Sequence, residues 1–168
     1  MAKKHGHDFY MREALKEAEK ALEMGNWPIG AVIVLDDQII ARSSNLVYTD
    51  VDKTHHAELL ALQHAARALH NRGQRATLYT TYEPCPMCLG AALVNHVGTI
   101  VCGPDLDGSG SMQLVDHLPI KYSLKKYNFH LITDVLQKEC VEIALKGIPE
   151  HKLLTEKVAT LKKLYNIA

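Results

Sequence analysis

The sequence has no net charge: nineteen Lys and Arg balance nineteen Asp and Glu over 168 residues. It therefore lacks the overall basic surplus that would be the simplest argument for nucleic-acid binding. No apolar stretch approaches the roughly 18 residues that a membrane span needs, which excludes a membrane partner of that kind. The opening Met1-Ala2-Lys3-Lys4-His5-Gly6-His7 has no apolar core of the sort a secretory signal carries, and the chain is read as cytoplasmic. There is no internal repeat and no low-complexity tract. Cysteine is limited to Cys85, Cys88, Cys102 and Cys140. Without an export signal and at this length, they read as thiols rather than a disulfide framework.

What is present suits one globular domain. Hydrophobic residues make up 47% and charged residues 23%, and a chain of this size buries roughly 70% of its unfolded surface. It needs no staple to fold. The charge is uneven: residues 1–120 hold ten basic and fourteen acidic residues, residues 121–168 nine and five. Glu139, Glu142, Glu150 and Glu156 interrupt the C-terminal lysines, so that end reads as a solvated helical face.

Periodicity supplies the elements. Met11, Ala14, Leu15, Ala18, Ala21 and Leu22 recur at helical spacing, with Asp8 as N-cap and Gly25-Asn26 as stop. The apolar run Gly30–Leu35 predicts a buried strand, and Asp36-Asp37-Gln38 turns it into a second strand from Ile39. A helix follows over about 55–70, then strands at 77–81 and 97–102, with a helix opening at Pro86 between them. Residues 118–127 are read as a short helix, 129–132 as a fifth strand, 134–146 as a helix, and Pro149 as the start of the last one. Alternating strands and helices predict an α/β fold, a five-stranded sheet with helices on both faces.

Two short segments carry the chemistry: His56-Ala57-Glu58 and Pro84-Cys85-Pro86-Met87-Cys88. Cysteines three apart on a helix share a face, and a helix start favours thiolate over thiol. Two thiolates and the His56 imidazole make a ligand set that suits one Zn2+. Three protein ligands leave a fourth position for water, the arrangement of catalytic rather than structural zinc. Glu58 supplies a carboxylate to take a proton from that water and return it to a leaving group. Residues 56 and 58 do not share a helix face, so both must act from the helix's opening turn. H-x-E followed by P-C-x-x-C is a signature of zinc deaminases; C-x-x-C or H-x-E alone says little.

On these motifs the chain resembles the cytidine deaminase superfamily, within the branch of bacterial tRNA adenosine deaminases and small guanine deaminases. The similarity spans about residues 8–147 and includes Pro28-Ile29-Gly30-Ala31-Val32, Asn45 and Glu83-Pro84-Cys85-Pro86-Met87-Cys88-Leu89-Gly90-Ala91. The resemblance implies a three-layer α-β-α sandwich around a five-stranded mixed sheet, zinc held by His56, Cys85 and Cys88, and a homodimer. It implies a catalytic domain over 1–147, with 148–168 as a C-terminal helical extension packed on it. Glu58 matches the family's proton shuttle and Asn45 its substrate-contacting asparagine. Ala57 and Glu83 match positions whose backbone lies near the substrate, and Ile29 belongs to a wall of the base pocket. The implied reaction replaces a ring amine by water, with Glu58 protonating the ring nitrogen and then the amine, which leaves as ammonia.

Substrate choice turns on departures from the family. The last helix has lysines at 146, 152, 157, 162 and 163 but no arginine, whereas tRNA-acting members carry a basic C-terminal helix, often with paired arginines. The C-terminal aromatic segment of small guanine deaminases is also missing, and the 105–111 loop is shorter than in tRNA deaminases. Neither Asp105 nor Asp107 is assigned a role. A free nucleobase, nucleoside or related small molecule is therefore preferred over tRNA. The rival from another class is a non-catalytic zinc module in which Cys102 or Cys140 closes the site. Those two otherwise read as buried thiols, His55 as a neighbour of the site rather than a ligand, and the Tyr79/Tyr82 pair as packing against the sheet. Trp27 either stacks on a base or packs in its loop.

Overall fold

The computed structural model describes residues 5–119 and 129–167. Helix α1 (His7–Glu23) leads into β1 (Gly30–Leu35) and β2 (Gln38–Ser44), then α2 (Ala57–Leu69), β3 (Ala76–Thr80), α3 (Pro86–Val94) and β4 (Thr99–Cys102). After β5 (His130–Ile132) come α4 (Gln137–Gly147) and α5 (Thr155–Tyr165). The strands form one mixed sheet in the order β2-β1-β3-β4-β5. β1 runs antiparallel to both β2 and β3, while β3, β4 and β5 run parallel.

The alternation of β1 divides the core. Ala31, Ile33 and Leu35 face a cluster that includes Ala61 and Leu62 of α2 and Leu89 and Leu93 of α3. Val32 and Val34 face Tyr10, Met11 and Ala14 of α1 and Cys140 of α4. Side chains on successive residues of a strand point to opposite faces, so a strand covered on both sides must be apolar throughout, as Gly30–Leu35 is. Helices thus cover both faces of a five-stranded sheet. Gly30 lies directly under α1: a Cβ there would run into the backbone at Ala14 and Ala18. The hairpin turn has Asp36 at φ 52° and Asp37 at φ 61°, a pair of positive values that matches the twist of the flanking strands.

Several boundaries differ from the sequence reading, each for a local reason. α1 is capped at Gly6, not Asp8. β4 begins at Thr99, because His96 turns the chain at φ 58° and the Gly98 amide is bound to the β3 side, at Gly73 and Ala76. α4 begins at Gln137, since Leu136 at φ 49° interrupts any helix reaching back to Asp134. The last helix is split: Glu150–Lys152 form a single 3₁₀ turn, and the Leu154 amide goes to Leu106 O at 2.6 Å before α5 starts. The predicted helix at 118–127 lies, from residue 120 on, outside the described residues.

Candidate active site

Two helix starts meet beside the ends of the central strands. His56 is the N-cap residue of α2 and Cys85 that of α3, both with extended backbone, and Pro86 occupies the first turn of α3. Proline belongs there because the amide it lacks would have no partner in any case. The Nδ1 of His56 lies 3.6 Å from the sulfurs of both Cys85 and Cys88. Ligand atoms about 2.0–2.3 Å from one tetrahedral zinc stand roughly 3.5 Å apart, so this spacing fits a single ion. One ligand atom from each of the three residues falls within 4.8 Å of the others, and among the described residues no further His, Cys, Asp or Glu joins the group.

Electrostatics agree with the geometry. The Cys85 thiol is pulled down to about 4, first by the hydrogen bond from Cys88 and then by His56. Cys88, donating to Cys85 in that pair, is pushed up. The His56 imidazole is raised chiefly by its hydrogen bond with Cys85. A cation at the meeting point of these groups favours both thiolates and a neutral imidazole.

Glu58 sits in the first turn of α2, 3% exposed. Its Oε2 has no hydrogen-bond partner. Burial drives its pKa from the ordinary 4.5 to about 7, opposed in part by its own backbone amide and by His56. A buried carboxyl oxygen without a partner costs stability, and a carboxyl tuned near neutrality is suited to passing protons in either direction.

These groups open into a cavity of about 200 Å³. Its walls include Ile29, Asn45, His56, Glu58, Glu83 and Cys85, all selected from the sequence. Asn45 donates its backbone amide to Ile29 O and accepts the Val47 amide on Oδ1, which fixes it in the cavity wall. Glu83 accepts the Met112 amide on Oε1. Ala57 is fully buried and contributes no wall; only its backbone, at the start of α2, is near the metal cluster. His55 is held by Asp50 and Asp52 and is not a ligand. Cys102 and Cys140 are free, buried thiols outside the metal group.

Sequence reasoning missed part of the lining. Val47, Tyr48, Lys53 and Ser109 come from loops without periodic pattern; Trp27, for which the sequence left base stacking and loop packing open, also lines the cavity. Tyr79 packs against Tyr10 and His7, and Tyr82 is buried in the core cluster on one face of the sheet, as expected, while also lining the cavity. The signal for Tyr82 was its place immediately before Glu83-Pro84-Cys85, since the chain that presents the ligands also forms the wall. The zinc module closed by a fourth cysteine has no support among the described residues.

Comparison with known proteins agrees with this geometry. Residues 4–104 match the model of the cytidine and deoxycytidylate deaminase zinc-binding region. The chain belongs to that family. It is a zinc-dependent deaminase, a hydrolase acting on C–N bonds. It is 42% identical over 135 residues to a tRNA-specific adenosine deaminase of Bacillus subtilis, covering 79% of this chain and 83% of that one. A solved structure from work on A-to-I editing by tRNA:A34 deaminases superposes with a TM-score of 0.65 at 32% identity, over 74% of this chain and 96% of the other. The guanine deaminase of Bacillus subtilis superposes with a TM-score of 0.56 at 27% identity, over 98% and 96%.

Proposed function

We propose that this deaminase acts on adenosine in the anticodon loop of tRNA, converting the wobble adenosine to inosine. The observation that carries the reading is the shape of the site. The cavity, about 200 Å³, is smaller than the roughly 300–1,000 Å³ of sites for drug-sized ligands and suits a single base. Tyr48, 56% exposed, and Lys53 stand among its lining residues, an aromatic face and a cation suited to a flipped-out nucleotide. The degree of identity to the tRNA-specific relative supports the same substrate and reverses the preference drawn from neutral charge.

Zinc held by His56, Cys85 and Cys88 would supply a Lewis acid that makes water acidic near neutral pH. Glu58 takes the proton released, holds it on the oxygen that has no other partner, and delivers it to the ring nitrogen. It then takes the proton of the hydroxyl newly added to the ring carbon and passes it to the amine as the C–N bond breaks, so water and aminopurine give the oxo-purine and ammonia. Asn45 binds the base through its side-chain amide, Ile29 packs on its flat face, and Glu83 closes the wall opposite. Ala57 contributes through its backbone.

A second reading, deamination of a free base such as guanine, is favoured by one observation. Lys157, in the first turn of α5, is already paired with Asp105 rather than presented free to a phosphate. The experiment that separates the two is ammonia release from an anticodon stem-loop carrying adenosine, compared with free adenine, adenosine, guanine and cytosine. The tRNA reading requires the stem-loop to be preferred by at least about 100-fold in kcat/KM, with binding that weakens steeply as salt rises. Preference for a free base would replace it with the second reading. A homodimer, a reducing cytoplasm, and a catalytic domain over 1–147 carrying 148–168 as an extension complete the proposal. Four free thiols fit the compartment, and packing of Leu153, Val158 and Leu161 against the core fits the extension.

A further inference from the structure

The last helix reaches the active-site wall through a single loop. Just before α5, Leu154 donates its amide to Leu106 O at 2.6 Å, and its side chain lies 3.6 Å from where a Cβ on Gly108 would stand. Within the first turn of α5, Lys157 Nζ donates to Asp105 Oδ2 at 3.2 Å. The other oxygen, Oδ1, accepts the Gly108 amide at 2.9 Å and the Asp107 amide at 3.3 Å. One carboxylate therefore shapes the loop and receives the helix's cation. The Asp105 side chain is 11% exposed.

The same loop is stitched to the segment that leads into Cys85. The Tyr82 hydroxyl accepts the Leu106 amide at 2.8 Å and donates to Asp107 Oδ1 at 3.2 Å. Ser111 donates both its amide, at 3.1 Å, and its hydroxyl, at 2.6 Å, to Pro84 O. Gly110 packs so closely on the Glu83 carboxylate and the Asp105 Cβ that a side chain there would displace the carboxylate. Tyr82, Glu83 and Ser109 all line the cavity.

We propose that Asp105 and Lys157 are positioning residues for the deamination: their ion pair ties α5 to the 105–111 loop and so holds Tyr82, Glu83 and Ser109 as one wall of the base cavity. What that wall contacts rests on the deaminase reading; the tie itself does not. An isolated surface pair contributes little. This one acts on a short loop in which the carboxylate also anchors two amides, so removing either partner loosens both connections. Lys157 is then an internal strut, which distinguishes it from a lysine that grips nucleic acid.

The test uses the full-length, zinc-loaded protein with Lys157→Met, Asp105→Asn, the double variant and Lys157→Arg, and an anticodon stem-loop and guanine as probes. Each single variant is expected to raise KM for the preferred probe about tenfold with a smaller change in kcat. The double variant should be no worse than either single, as for two residues acting as one unit. Lys157→Arg should restore KM to within about twofold of the wild type. Amide exchange at Leu106 and Gly108 should accelerate in both single variants. Additive losses in the double variant would overturn the proposal, as would a lowered melting temperature with KM and kcat unchanged. It would also fall if Lys157→Met alone reduced the salt dependence of stem-loop binding by roughly one phosphate contact. If the wild type released no ammonia from any probe, the substrate reading would fail instead. Amide exchange would then decide the tie by itself: faster exchange in both single variants sustains it, and unchanged exchange ends it.

Discussion

Replacing Glu58 by Gln should make the protein lose turnover and gain stability, and the second effect has a calculable pH dependence. The unfolded chain ionises this carboxyl near 4.5, whereas burial holds it protonated up to about 7 in the folded state. Below about pH 4.5 both states carry the proton and ionisation of the residue costs nothing. Between the two values the unfolded state gives up a proton that the folded state keeps, so stability falls as pH rises, then levels off above about 7. A rise of that size corresponds to about 3 kcal/mol. Glutamine carries no charge at any pH and escapes this loss. In protein stripped of metal by chelation, Glu58→Gln should match the wild type near pH 4 and exceed it by about 3 kcal/mol near pH 8. For a domain of this length that is roughly 6–12 °C in melting temperature, readable by calorimetry across a pH series. In zinc-loaded protein the same variant should keep its metal and lose about 10²–10⁴-fold in turnover, the usual contribution of a general acid–base group. A stability difference that ignores pH, or turnover that survives, would refute the assignment of Glu58 as a buried proton carrier.

Other consequences follow from the same geometry. Cys88→Ser should abolish stoichiometric zinc binding, while Cys102→Ala with Cys140→Ala should leave metal content and ammonia release intact, because only the first lies in the ligand group; elemental analysis of purified variants checks both. Burial pulls the Asp105 carboxyl upward, but Lys157 and the Gly108 and Gly110 amides outweigh it and leave it below the ordinary carboxylate value. Its contribution is therefore full above about pH 4 and is lost as pH falls through the lowered folded value. Acid unfolding of Lys157→Met, followed by circular dichroism, should accordingly depend less on pH below about 4 than that of the wild type.

The parts of this molecule that were legible in the sequence are those written by local rules. Gly30–Leu35 reads as a central strand because a strand covered on both faces has no polar positions to alternate. The cluster is legible because His56 and Cys85 occupy the caps of two helices and Cys88 follows one turn later, so three ligands need only two short motifs. Ile29, Asn45 and Glu83 were reached through the family resemblance, but the loop-borne remainder of the lining was not legible. Tyr48, Lys53 and Ser109 lie on irregular loops whose paths are fixed by distant partners: Asn26 Oδ1 accepts the Tyr48 amide from 22 residues away, and Lys157 holds Asp105 from 52 residues away. No periodicity announces such bonds. Boundaries slipped where one residue adopts a positive φ, as at Leu136 and His96. Leucine is a residue from which that conformation is not read in advance, and histidine, though enriched there, adopts it in only a small minority of positions.

The central claim is that one zinc ion is held by two sulfurs and one nitrogen, with its remaining position given to a light-atom ligand beside Glu58. Zinc-edge X-ray absorption on the purified, metal-loaded protein measures this directly. Two sulfur scatterers are expected at about 2.3 Å, with one imidazole nitrogen and one further oxygen at about 2.0 Å. Three or four sulfur scatterers would mean that Cys102 or Cys140 closes the site, and the protein would be a structural zinc module instead of an enzyme.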